Sequence, residues 1–246
     1  MRGAIWGTIF TIIGTLIVGL LFSLSQAEAQ CSVAIPNKAT WESRMTSSGT
    51  TFCNGLQAIG CSTFNDPCLN DSYYDAMQVY ENIATYTGNT AFWRDQCVDA
   101  AERTYRDNYV NYPSPNGCVN GNCPGYYNFT NGLKSDFLTT GDTTSRTAAI
   151  NLRTNAAYAR DSTSPTANPQ CALMRENAYA LISYLDAISL GQPVPPRFNQ
   201  VVTDAFIHVD KVVAETCEDN AQWNVFMVGL VAEALMQLYD YNGDVN

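Results

Sequence analysis

Polar or charged side chains cluster, mostly beside aromatic ones, near the expected starts of four helices. The four groups are Tyr73-Tyr74-Asp75, Tyr126-Tyr127-Asn128, Arg175-Glu176 and Gln222-Trp223-Asn224. An aromatic face beside an amide or carboxylate suits a pyranose ring, which stacks on the aromatic and hydrogen-bonds through its hydroxyl groups. Simpler roles stay open: the aromatics can be core packing, and Asp75 and Glu176 can serve a helix N-terminus.

Motifs for other chemistries are missing from the sequence. It contains no G-x-S-x-G, P-loop, H-E-x-x-H or dinucleotide fingerprint, so we expect no cofactor. Zinc is disfavoured because there is no C-x-x-C and only one histidine. The run Asp240-Tyr241-Asn242-Gly243-Asp244 looks like the opening of a calcium loop but lacks the later bidentate Glu. We therefore expect no metal site.

The only histidine, His208, follows Asp204 by four residues and precedes Lys211 by three. On a helix these spacings place all three on neighbouring positions of one face. We expect a satisfied or exposed histidine here rather than a general base.

A period of 3.6 residues dominates the chain from about residue 70 and predicts helices without any convincing strand. The predicted helices are 71–86, 90–109, 129–139, 142–160, 171–190, 197–216 and 220–241. The fold class is therefore all-α. The longer connections, 110–128 and 161–170, are rich in Pro, Asn, Gly, Ser and Thr and are the loops that can carry function.

Glycine turns recur at the helix ends at intervals of about 50 residues, close to the length of one helical hairpin. Gly88, Gly141 and Gly191 each follow the last periodic residue of a helix, the position at which a left-handed C-cap residue is common. Gly243 follows the last predicted helix in the same way. The short turns predict antiparallel neighbours, in three hairpins and one further helix. Asp142 or Thr143 can cap the helix that follows Gly141.

The first 70 residues differ from the rest. An apolar run over 4–23 is followed by Ala27-Glu28-Ala29, the small-x-small pattern of a cleavage site. Together they predict a signal peptide over 1–29 and export. An uncleaved membrane anchor is the alternative, because the run is long enough to span a bilayer. Residues 30–70 are expected to form a disulfide-tied, irregular lead-in with a short helix near 39–46, and 71–246 the repeat domain.

Nine cysteines follow the predicted cleavage point, and in an exported chain they favour disulfides. Cys118 and Cys123 bracket a turn-rich loop that a local bridge would close. Nine is odd, so one thiol is left over or pairs with another chain. The net charge of −10, with scattered Lys and Arg, argues against nucleic acid as a partner.

The run Phe226-Met227-Val228-Gly229-Leu230-Val231-Ala232-Glu233-Ala234-Leu235, leading to Tyr241-Asn242-Gly243-Asp244, resembles the (α/α) toroids of the six-hairpin glycosidase-like superfamily. The likeness covers about 71–244, roughly 3.5 of six hairpins, and rests on helix periodicity and glycine turns.

The toroid resemblance implies a carbohydrate partner bound at the mouth of a funnel and hydrolysed by a pair of carboxyl groups. One carboxylic acid would protonate the leaving oxygen, while the other carboxylate would activate water or attack the sugar directly. Asp75 and Glu176 are the acids that the resemblance suggests. It suggests Tyr73, Tyr74, Tyr126, Tyr127, Asn128, Arg175 and Trp223 as the sugar-binding residues. Asp136, Asp186 and Glu233 lie within predicted helices and matter only if they face the funnel.

Two other interpretations remain. The chain can be a non-catalytic cell-surface or assembly protein that self-associates through the open face of its C-terminal helix. It can also be a fragment of a longer toroid enzyme, because the count of hairpins falls short of six.

Overall fold

The structure, a computed structural model, describes residues 36–59, 74–112, 118, 121, 123–161, 163–164, 171–217 and 225–243. The chain divides into two compact units, Met1–Met45 and Thr46–Asn246. The predicted signal peptide and two of the predicted sugar-binding residues, Tyr73 and Trp223, lie outside the described residues.

The described residues form an all-α fold, as the sequence predicts. The helices are α1 (Lys38–Ile59), α2 (Ala76–Thr87), α3 (Thr90–Phe92, Trp93–Val98, Asp99–Glu102 and Arg103–Val110), α4 (Asn131–Thr140), α5 (Thr143–Asn155), α6 (Met174–Ser189), α7 (Phe198–Val213) and α8 (Val225–Asn242). In α3 the second and fourth stretches are π-helical. Two short 3₁₀ turns, Gly125–Tyr127 and Cys171–Leu173, precede α4 and α6. The described part contains one isolated bridge, Cys123 to Ala156, and no strand.

Helix α1 corrects the expectation of a short helix near 39–46, because it continues to Ile59. Its second half is fixed by tertiary contacts rather than by a periodic apolar face. Cys53 is fully buried and forms a disulfide with Cys97 of α3. Gly49 lies so close to Trp93 that a β-carbon there would be 3.0 Å from the indole ring. Tertiary packing here overrides the weak helix propensity of a segment rich in Gly, Ser and Thr.

The glycine turns form as predicted. Gly88 ends α2 with φ 70°, and its N–H bonds to Ala84 O. Gly141 ends α4 with φ 80°, and its N–H bonds to Phe137 O. Asp142 then caps α5 by accepting from Thr144 N at 2.7 Å. Helices joined by these turns contact each other, whereas the antiparallel hairpin repeat and the toroid stay predictions.

Helix α6 lies at the centre of the packing. All but three of its 16 residues are buried, including polar ones, whereas a surface helix buries a single stripe. It contacts α4, α5, α7, α8 and the 3₁₀ turn Gly125–Tyr127. The core of the second unit is therefore built around α6.

The described part of this unit contains one local disulfide and two that join distant segments. Cys118 and Cys123 form the predicted local bridge, and Cys171 before α6 is bonded to Cys217 after α7. Cys53 pairs with Cys97 and not with a cysteine of the N-terminal segment. Within the described ranges, no helix combines the length and hydrophobicity that crossing a bilayer requires.

His208 contradicts the expectation of a satisfied or exposed histidine. Its side chain is fully buried, and neither ring nitrogen has a hydrogen-bond partner in the described structure. Asp204, four residues earlier, accepts instead from the Ser164 hydroxyl at 2.9 Å. Burial and the positive charge of Lys211 lower the pKa of His208 to about 4, although Asp204 opposes this.

Acid should destabilise the protein through His208. The folded-state pKa lies below the unfolded value of about 6.5, so the neutral ring's contribution is present above pH 6.5 and lost as pH falls toward 4. We expect the wild type to lose about 3 kcal/mol of unfolding free energy relative to His208→Leu over this range. Denaturant unfolding at several pH values measures the difference. The single imidazole resonance in NMR gives the pKa directly, and a titration near 6.5 would contradict the prediction.

Candidate functional site

A pocket of about 140 Å³ lies where the start of α2, the residues before α4, and helices α6 and α8 meet. It is smaller than the roughly 300–1,000 Å³ typical of sites for drug-sized ligands. Amide and carboxyl groups face it beside aromatic and aliphatic side chains. The lining residues are Tyr74, Asp75, Gln78, Val79, Asn82, Asn128, Phe129, Thr130, Asn131, Tyr179, Ile182, Leu230 and Glu233.

Asp75 joins the starts of two helices. It caps α2, where its Oδ1 accepts from Gln78 N at 3.2 Å, and its Oδ2 accepts from Gly132 N in the first turn of α4 at 2.9 Å. A β-carbon at position 132 would lie 2.5 Å from the Met77 β-carbon and closer still to Asp75, so glycine is required there. The Asp75 carboxylate, which these two bonds hold in place, belongs to the lining of the pocket.

The electrostatic surroundings of Asp75 favour its protonated form. Burial raises its pKa to about 6, although the two backbone N–H groups act in the opposite direction. The negative charges of Asp186 and Glu233 raise the pKa further. Perturbed carboxyl groups of this kind are concentrated at functional sites.

The segment before α4 is held by Tyr105 of α3. The Tyr105 hydroxyl donates to Tyr127 O and accepts from Phe129 N, the latter at 2.9 Å. Asn128, between them, is fully buried and donates from Nδ2 to Tyr179 O of α6 at 3.3 Å. A carbonyl oxygen can only accept, so the Asn128 amide atom that faces Tyr179 O must be the nitrogen. The amide atom on the other side is therefore Oδ1. In the described structure it has no hydrogen-bond donor.

Lys134 and Asp186 form an ion pair next to the pocket, since Thr130, which lines the pocket, bonds to the same Asp186. Asp186 of α6 is 1% exposed and accepts from the Lys134 ammonium group and from Thr130 Oγ1, the latter at 2.6 Å. Burial raises the pKa of Asp186, while Lys134 and Thr130 lower it. The pair joins the first turn of α4 to α6.

Glu233 of α8 supplies the second carboxylate of the pocket. Asn131 donates from Nδ2 to Glu233 Oε1 at 3.2 Å, and Gln237 donates back to Asn131 Oδ1 at 3.1 Å. The residue is exposed, and desolvation by the neighbouring protein and the negative charge of Asp186 raise its pKa, while Lys134 lowers it. Asn131 and Gly132 are consecutive, so α4 holds Glu233 with one residue and Asp75 with the next.

Three of the residues predicted from sequence line this pocket. They are Tyr74, Asp75 and Asn128. Tyr74 is 44% exposed, and its ring makes an edge contact with Phe226 at 5.4 Å between centroids. Tyr74 and Asp75 both have positive φ, 63° and 57°, a conformation that costs free energy for residues with a β-carbon.

Other predicted residues form a second group. The Arg175 guanidinium lies 5.1 Å from the Tyr126 ring centroid and donates to Glu176 Oε1 at 2.7 Å. Tyr127 contacts Tyr126 at 4.7 Å between centroids. Glu176 is buried, its Oε2 has no partner among the described residues, and it does not line the pocket with Asp75. Its catalytic role stays a prediction.

The sequence did not single out Thr130, Asn131 or Tyr179 as site residues, and it gave Glu233 a role only on condition that it faces the funnel of the toroid. Glu233 had one available signal, an acid within the apolar run Val228–Leu235. Asn131 had none, because Glu233 and Gln237, its partners in α8, are more than 100 residues away along the chain.

A separate acidic cluster joins Glu102, Asp136 and Asp142, whose carboxylate oxygens come within 4.8 Å of one another. Arg106 donates to Glu102 and to Asp142, the latter at 2.7 Å, and also to Ser145 Oγ. The guanidinium therefore occupies the position that a cation would take. The residues of the supposed calcium loop, Asp240 to Asn242, are helical.

No protein-family model matches the chain, and no similar protein is found among curated sequences or solved structures. The interpretation of the pocket therefore rests on its geometry and chemistry.

Asp75 should give a measurable pH dependence of stability. Its folded-state pKa lies above the unfolded value, so its contribution is present below pH 3.8 and is lost as pH rises through 6. We expect the wild type to gain up to about 3 kcal/mol of unfolding free energy relative to Asp75→Asn as pH falls from 7 to 4. Urea unfolding of both proteins tests this, and parallel curves over that range would disprove it.

Proposed function

We propose that this protein is exported and binds carbohydrate in the pocket formed by α2, residues 128–131, α6 and α8. The observation that carries the proposal is the buried Asn128 Oδ1, an acceptor without a donor in the described structure, in a pocket that also presents two carboxylates. A buried acceptor without a partner costs about 1–3 kcal/mol, and a ligand hydroxyl would supply the missing donor.

The other lining groups suit the same ligand. Asp75 and Glu233 are acceptors for hydroxyl groups, while the exposed Tyr74 ring offers a face for the apolar side of a pyranose. The small volume suits a single sugar unit, such as the end of an oligosaccharide. Three disulfides and the apolar N-terminal run with its small-x-small site support export.

Hydrolysis is the activity that this pocket would support. Asp75, with a pKa of about 6, holds a proton in mildly acidic solution and can give it to a leaving oxygen. Glu233 would activate water or attack the sugar as the second carboxylate. The bonds of consecutive residues, Asn131 and Gly132, to the two acids support this pair over Asp75 with Glu176.

Three isosteric variants test this pairing. We expect Asp75→Asn and Glu233→Gln each to lower the release of reducing sugar by about 10²–10⁴-fold, the usual effect of losing a catalytic acid or base. Glu176→Gln is the matched control, because Glu176 does not line the pocket. Melting temperatures of all three verify folding. Loss of activity in Glu176→Gln but not Glu233→Gln would favour the other pair, and a glycan screen without any binding would reject the proposal.

Self-assembly is the second candidate function, and the surface of α8 favours it. Met236 and Tyr239 lie three residues apart, on one face of the helix, and are 68% and 45% exposed. Large apolar side chains grouped on one exposed helix are a common feature of interaction surfaces.

Mass in solution tests the assembly hypothesis. If α8 pairs with a second copy, light scattering should give a mass above 27.0 kDa that Met236→Glu reduces toward the monomer. Thr139→Glu, on α4 outside both α8 and the pocket, is the charge-matched control. A monomer at every concentration would contradict the hypothesis.

A further inference from the structure

The pocket carries negative charge that no basic residue in its lining cancels. Among its 13 lining residues are Asp75 and Glu233 but no lysine, arginine or histidine. The nearest ammonium group in the network, that of Lys134, is bonded to Asp186 and to Asn131 Oδ1 and does not line the pocket. A ligand that enters therefore meets two acidic groups.

Three amide nitrogens of the lining already donate to protein acceptors, whereas one buried acceptor has no donor in the described part of the chain. The Asn131 amide nitrogen is used by Glu233, that of Asn128 by Tyr179 O, and that of Gln78 by Asn82 Oδ1 at 2.8 Å. Asn128 Oδ1, in a fully buried residue, still lacks a donor in the described structure. A donor from the ligand would satisfy this atom, and a protonated amine brings three donors together with a positive charge.

We infer that the pocket selects a sugar unit that carries a protonated amine, placing the ammonium group among the Asp75 and Glu233 carboxylates and Asn128 Oδ1. This inference rests on the proposed carbohydrate function and names the substrate class of the same site. Hydrogen bonds between an ammonium and a carboxylate are about twice as strong as those between neutral groups. An anionic sugar would be repelled, and an N-acetylated one brings neither the charge nor three donors.

The partial burial of Asp75 makes this selection stronger than a fully exposed charge would. Opposite charges that are partly withdrawn from water attract at a lower effective dielectric constant and are screened less by salt. The pKa values of Asp75 and Glu233 are raised first by desolvation and then by the negative charge of neighbouring carboxylates. A bound ammonium group would offset that negative charge.

Calorimetry with three matched trisaccharides tests the inference. The β-1,4-linked trimers of glucosamine, N-acetylglucosamine and glucose differ only in the substituent at C2 of each sugar. We expect the glucosamine trimer to bind the intact protein at least about tenfold more tightly than the other two at neutral pH. Glu233→Gln, which keeps an oxygen for Asn131, should remove most of this preference, and Asp75→Asn should do the same.

Asp240→Asn is the matched control, because it removes one negative charge from exposed α8 surface outside the pocket. It should keep the preference for the amine. Equal affinity for the glucose and glucosamine trimers would overturn the inference while leaving the carbohydrate proposal in place. Binding of none of the trimers would reject the proposed function itself.

Calcium chloride alone completes the test, because two carboxylates and a carbonyl oxygen also suit Ca²⁺. Calcium binding that Glu233→Gln abolishes, with no preference among the trimers, would overturn the inference in favour of a metal site. Absence of calcium binding, with the amine preference intact, supports it.

Discussion

The burial of α6 on every side is the constraint on which the rest of the second unit depends. A helix in this position must satisfy its polar side chains from its neighbours, because water does not reach them. Asp186 is the most demanding of these, since a buried carboxylate without a partner is strongly unfavourable. Lys134 and Thr130, at the start of α4, provide its partners. These two bonds connect the start of α4 to α6.

The acidic pocket follows from that connection. Once the first turn of α4 is bonded to Asp186, its next two polar contacts reach outward, from Asn131 to Glu233 and from Gly132 to Asp75. Two carboxylates from helices far apart in sequence thus meet at one turn of a third helix. Lys134 bonds to Asp186, and no lysine, arginine or histidine stands among the residues that line the pocket with Asp75 and Glu233. The ion pair that stabilises the fold leaves the pocket negative.

Local chemistry explains which parts of this fold the sequence could predict. Gly88 and Gly141 were found because a left-handed helix end needs glycine whatever lies around it. Asp75 and Asn128 stood out as polar residues beside aromatics at helix starts. The length of α1, the Asn131–Glu233 contact and the buried state of His208 depend on partners distant in sequence. A periodicity argument cannot see them, because packing and not propensity decides them.

Three residues that line the pocket carry features that cost free energy. Tyr74 and Asp75 have left-handed backbone conformations, Asp75 has a raised pKa, and Asn128 keeps a buried acceptor without a donor in the described structure. Each feature costs free energy that a different side chain could avoid, and all three residues line one pocket. Asp75 partly offsets its cost by capping α2 and bonding to α4, which explains how the fold tolerates it. The costs that remain are those that a bound ligand with donors and positive charge would remove.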